Sequence, residues 1–209
     1  MDEKWFSLKP EEIEKESFRL IRGELKEQGI SLPEETESVV VRVIHTTADF
    51  EYAKTLVFSD HAVERAREAV RRGAHIITDT NMALSGIRRS VVEKFGGSVR
   101  CFMAEEKTAK EAAERGVTRA YVSMERAAAL GGPLIFAVGN APTALICLKK
   151  LMDQGVEPKL IIAVPVGFVN VVEAKELILN SHVPYIVNRG RKGGSTVAAA
   201  ICNSILCGM

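Results

Sequence analysis

Along residues 9–29, Ile13, Ile21 and Leu25 fall at multiples of four, acidic residues follow Pro10, and Gly29 succeeds the last periodic position. This spacing predicts an amphipathic helix, with Ser17 as the one polar residue in its apolar stripe. After a turn at Pro33 comes Val39-Val40-Val41-Arg42-Val43-Ile44, a β-branched run ending at His45. The run predicts a first buried strand.

Residues 49–73 carry helical patterning in one or two segments, with Ser59-Asp60 as a cap between them and Gly73 as the stop. Strands are then predicted at 75–79, 98–103, 134–138, 160–164 and 185–187, and helices at 81–95, 105–116, 118–130, 141–153, 171–180 and 195–206. Strand and helix alternate, so the expected fold is a three-layer α/β/α domain with a mostly parallel, doubly wound, flavodoxin-like sheet. With no linker, repeat or low-complexity tract, residues 1–209 read as one domain, the 9–29 helix packed against it.

Composition narrows the classes of function. A chain of 209 residues with 46% hydrophobic and 26% charged residues can build a full core. The formal charge of +1 and pI near 7.7 provide no field for nucleic acid or an anionic membrane. Cys101, Cys147, Cys202 and Cys207 lie in apolar stretches without metal-ligand spacing, as in a reduced, cytoplasmic protein. The polar, acidic amino terminus is unlike a signal peptide, and the longest apolar run, 160–166, is too short to span a bilayer.

In doubly wound sheets ligands bind beyond the carboxyl ends of the strands. The residues expected there are His45-Thr46-Thr47, Asp79-Thr80-Asn81-Met82, Gly139-Asn140-Ala141-Pro142-Thr143, Pro165-Val166-Gly167-Phe168 and Arg189-Gly190-Arg191-Lys192-Gly193-Gly194-Ser195. Glycines let the backbone approach a ligand, and free N–H groups at helix starts attract anionic oxygens, so an anionic ligand is expected at this edge. Neither dinucleotide nor P-loop fingerprints occur, and the G-x-S-x-G elbow of serine hydrolases is missing.

Arg42 interrupts an apolar run, which calls either for an anionic ligand or for a structural ion pair. His45 is the one histidine at a predicted strand end and suits an acid/base role; His61, His75 and His182 are scattered without metal spacing. In a continuing strand Arg42 and His45, three apart, would face opposite sides, so they can share a site only if the strand ends near Ile44.

The stretches Ser17-Phe18, Ile21-Arg22-x-Glu24, Val41-Arg42-Val43-Ile44-His45, Asp79-x-x-Met82, Thr118-Arg119, Gly139-Asn140-Ala141-Pro142-Thr143-Ala144-Leu145, Pro165-Val166-Gly167-Phe168-Val169, Glu173-x-Lys175 and Gly190-Arg191-x-Gly193-Gly194-Ser195 together resemble the precorrin-8X methylmutase family. The resemblance runs from residue 17 to 195. It departs after His45, where many relatives carry Ala-Cys-Gly and this chain has Thr46-Thr47-Ala48.

The resemblance implies an isomerase of cobalamin biosynthesis that moves a methyl group between adjacent ring C carbons, C-11 to C-12, of precorrin-8X or cobalt-precorrin-8. The product would be hydrogenobyrinic or cobyrinic acid, with no cofactor and no protein-held metal. It implies His45 as the catalytic residue, with Ser17 and Arg42 as substrate-binding residues. Arg119, Asn140, Thr143, Gly167, Arg191, Gly194 and Ser195 complete the expected rim for the carboxylates of the corrinoid tetrapyrrole. The chain is further expected to form a homodimer whose boundary lies near the crevice, through Phe168, Val169, Val171 and Val172, with neither nucleic acid nor membrane as partner.

Overall fold

The computed structural model describes residues 9–209; residues 1–8, part of the amino terminus read above as unlike a signal peptide, lie outside the described residues. Three helices come first: α1 (Pro10–Glu27), α2 (Glu34–Thr47) and α3 (Tyr52–Thr55). They are followed by β1 (Leu56–Phe58), α4 (Ala62–Arg71), β2 (His75–Thr78), α5 (Asn81–Gly86), α6 (Arg89–Lys94), β3 (Val99–Arg100), α7 (Glu106–Arg115) and α8 (Arg119–Ala128). The chain continues through β4 (Leu134–Val138), α9 (Pro142–Asp153), β5 (Leu160–Ala163), α10 (Val171–Leu179), β6 (Tyr185–Asn188) and α11 (Ser195–Ile205).

The sheet order is β1-β6-β5-β4-β2-β3, and every pairing is parallel except β1 with β6. Without β1, the strand order is that of the flavodoxin-like fold, with its topological switch between β2 and β4. Along β4, Ile135 and Ala137 join a core with α1, α2, α4 and α11, while Phe136 and Val138 face α8, α9 and α10. The period of two thus divides the apolar residues between the two helical layers.

The expected strand 39–44 is instead the body of α2. Its β-branched residues are poor helix formers by a few tenths of a kcal/mol each, but burying each one contributes roughly 1.5–3 kcal/mol. Val39, Val40, Val41, Val43 and Ile44 are all buried, against α1, α11 and the sheet. The helix was visible in the polar positions: Glu34, Ser38, Arg42 and His45 recur at helical spacing, after Pro33 and an acidic first turn.

Other expectations shift less. Within 49–73 lies the short antiparallel strand β1, whose partner β6 is remote in sequence, so local pattern could not reveal it. The helix expected over 81–95 breaks at Ile87-Arg88, where the Asn203 side chain accepts the Arg88 N–H and donates to the Gly86 carbonyl. The strand expected over 98–103 shortens to Val99–Arg100. In α1, Ile21 and Leu25 are buried as expected, whereas Ile13 is half exposed.

Candidate active site

At the carboxyl-terminal end of α2, Ser17 Oγ on α1 lies 2.7 Å from His45 Nδ1 in a hydrogen bond. The neighbouring Phe18 ring meets the imidazole edge-on, 5.3 Å between centroids, and its face carries the Arg42 guanidinium at 5.1 Å. Arg42 also donates to Glu14 Oε1 at 2.9 Å. Because α2 is a helix, the three-residue step from Arg42 to His45 puts both on one face, and α1 supplies the side chains that orient them. Ser17 interrupts an apolar stripe because it holds this imidazole.

The strand-end turns interlock beside this cluster. Asp79, fully buried after β2, accepts the N–H groups of Gly139, Asn140 and Ala141 at 2.9, 2.8 and 2.6 Å. Burial raises the Asp79 pKa, against the pull of the three amides. These N–H groups at the start of α9 are therefore filled from within, which leaves the exposed Asn140 side chain to face solvent. Ser195 bonds to Thr80 at 2.8 Å, and a side chain at Gly139 would strike the Ser195 backbone. Thr143 is bonded to Thr118, at 2.8 Å, next to the exposed Arg119.

Loop 189–194 closes the edge. The Gly167 N–H donates to the Arg191 carbonyl at 3.2 Å and the Gly194 N–H to the Val164 carbonyl at 2.8 Å. The Lys192 ammonium joins Asp49 and Glu51, both at 2.6 Å, which ties the loop to the segment following α2; these carboxylates raise the pKa of Lys192. The Arg191 guanidinium stacks over Phe168 at 5.4 Å. Phe168 and Val169 are 81% and 75% exposed, while Val171 packs inside.

A cavity of about 240 Å³ opens between α2, α5 and α11, lined by Arg42, Thr46, Met82, Gly86, Thr196, Ala199, Ala200 and Asn203. A larger groove, about 400 Å³, lies at the opposite edge among Arg65, Arg72, Glu157, Lys159 and His182. The smaller cavity carries Arg42, one helical turn from the Ser17-held His45. Ser17, Arg42 and His45 are brought together; Arg119 and Thr143 stand on the α8 and α9 side of the sheet, and Gly167, Arg191, Gly194 and Ser195 lie in the turns between.

Sequence reasoning missed the roles of Glu14, Phe18, Asp79 and Lys175. Lys175 carried a usable signal, since it breaks the apolar stripe Val171, Ala174, Ile178 of α10 as Ser17 breaks that of α1.

Fold and site define a flavodoxin-like α/β protein with a crevice that carries Arg42 beside the Ser17-held His45; the other serine-held histidine, His75, bonded to Ser98 at 2.9 Å, stands at the opposite end of its strand. Residues 12–207 match the family model for precorrin-8X methylmutase. The chain is 40% identical over 201 residues to the cobalt-precorrin-8 methylmutase of Salmonella typhimurium, covering 94% of each chain. It is 38% identical over 200 residues to that of Priestia megaterium, covering 95% of this chain and 88% of the relative. A crystal structure of precorrin-8X methylmutase from Thermus thermophilus superimposes with a TM-score of 0.83 at 37% identity, over 93% of this chain and 95% of that one. The chain belongs to the precorrin-8X methylmutase family.

Proposed function

We propose that this chain is a cytoplasmic isomerase that moves a methyl group from C-11 to C-12 on ring C of precorrin-8X or cobalt-precorrin-8. The observation that carries this reading is the Ser17–His45 hydrogen bond beside Arg42 at the crevice. In the imidazolium form Nδ1–H donates to Ser17 Oγ, and the second proton sits on Nε2, which has no partner among the described residues. The imidazolium lends its Nε2 proton to the conjugated macrocycle and becomes a neutral imidazole still held at Nδ1; electron density is drawn from ring C, the methyl migrates, and the proton returns to Nε2. The net change is an isomerisation needing no added cofactor.

Arg42, Arg119 and Arg191 meet the carboxylate fringe, with Asn140, Thr143, Gly167, Gly194 and Ser195 completing the rim. A single-chain cavity of about 240 Å³ is smaller than ligands of this class require. A homodimer that covers Phe168 and Val169 would enlarge the crevice, so a second copy is the proposed partner.

The test is incubation with the unrearranged precursor, followed by extraction and visible spectroscopy. Extraction of a rearranged product supports the isomerase. Band shifts that vanish on extraction would make the protein a tetrapyrrole carrier.

A further inference from the structure

Lys175 is the largest charged side chain in the core, fully buried on α10. It makes no ion pair among the described residues; its Nζ donates instead to the carbonyls of Gly190 and Lys192, both at 2.8 Å. A buried charge without a counter-charge is costly, and an apolar residue of similar volume is often tolerated or preferred at such places. The energetic burden points to a task in the loop above it.

That task follows from peptide geometry. In a planar trans peptide the N–H points opposite to the C=O. The Gly190 carbonyl shares its peptide with the Arg191 N–H, and the Lys192 carbonyl with the Gly193 N–H. With both carbonyls drawn down to Lys175, both N–H groups turn toward the exposed side of the loop. Neither has a hydrogen-bond partner among the described residues. The remaining ties agree: Asn188 Nδ2 also donates to the Lys192 carbonyl, at 2.8 Å, and a side chain at Gly193 would strike the Val164 carbonyl, so the loop cannot readily rotate.

We propose that Lys175 is a positioning residue of the carboxylate rim: by holding the Gly190 and Lys192 carbonyls from below, it aims the Arg191 and Gly193 N–H groups at one carboxylate of the substrate. This rests on the corrinoid reading above and adds to it a subsite made of backbone. The Arg191 guanidinium, stacked on Phe168, supplies charge beside it. Lys175 itself never touches the substrate.

Lys175→Met removes the ammonium at similar volume. The expected result is a KM raised ten-fold or more with kcat within about three-fold, in a protein whose near-UV dichroism matches the parent. A variant that merely lost folded molecules would show the reverse, a lower kcat at unchanged KM, and would overturn the proposal. Arg191→Ala should cost less in the Lys175→Met background than in the parent, because both act through one loop; full additivity counts against the proposal.

If Lys175→Met does not fold, the parent decides. Titration with hydrogenobyrinic acid, followed by amide NMR, should shift the Arg191 and Gly193 N–H signals and slow their exchange. Signals that stay unmoved at saturation overturn the subsite. Absence of turnover by the parent chain would overturn instead the functional reading on which the subsite rests.

Discussion

Ser17 and His45, on two different helices, are joined by a 2.7 Å hydrogen bond to Nδ1. This single contact selects which imidazole nitrogen is held and which is left without a partner among the described residues. His45→Ala should keep the fold and nearly normal corrinoid binding while turnover falls by roughly two to four orders of magnitude. Ser17→Ala keeps the imidazole and loses only its orientation, so an intermediate fall of about ten- to hundred-fold is expected. Single-turnover kinetics beside equilibrium binding checks both; parent-like turnover in His45→Ala would remove histidine from the mechanism.

Among the described residues Arg42 has one ionic partner, Glu14, in addition to the Phe18 face. If its main task is to meet a substrate carboxylate, Arg42→Ala should weaken binding ten-fold or more, as a charge-assisted contact of roughly 1.5–3 kcal/mol implies. Glu14→Gln, which releases Arg42 from its pair, should leave binding within about three-fold of the parent. Equal losses in the two variants, measured by corrinoid titration, would assign Arg42 to the ion pair.

Asp79 accepts three amides across the switch point. Asp79→Asn turns an NH₂ group toward at least one of these donors, and roughly 1.5–3 kcal/mol of stability should be lost. For a chain of this size that lowers Tm by about 5–10 °C. Calorimetry reads it directly, and an unchanged Tm would show that the turn is held by its other contacts.

Burial pulls Lys175 from its ordinary 10.5 down to about 8, and no carboxylate among the described residues opposes that. Between these values the unfolded chain binds more protons than the folded one, so this residue's contribution to stability rises with pH. Its penalty is full below pH 8, where the ammonium is buried charged, and gone above 10.5. Relative to Lys175→Met, the parent should gain roughly 3 kcal/mol across that window. Urea titrations at stepped pH test this; a constant difference between the two proteins would mean that Lys175 titrates normally.

Phe168 and Val169 present their side chains to solvent in the turn between β5 and α10. The parent should run as a dimer by light scattering at micromolar concentration, and Phe168→Asp should shift it toward monomer with loss of activity. A fully active monomeric parent would refute the second copy's place at the site.

Much of this protein could be read from its sequence. The parallel strands announced themselves as apolar runs ending in glycine or small polar residues, because a strand buried on both faces has no polar side. The turns at their carboxyl ends followed, and with them most of the residues proposed for the rim. Ser17 and Arg42 stood out as polar residues in apolar surroundings, a local signal of a tertiary demand. Residues 39–44 carried two opposed signals, β-branched side chains that favour a strand and flanking polar positions at helical spacing, and tertiary structure decided between them: burial against α1, α11 and the sheet outweighs the strand preference and makes them helical. The same decision placed Arg42 and His45 on one face, where a strand would have parted them. It also decided what Lys175 and Asp79 do, since a buried charge acts through backbone groups remote in sequence, and no local pattern records which carbonyl or amide the fold will bring to it.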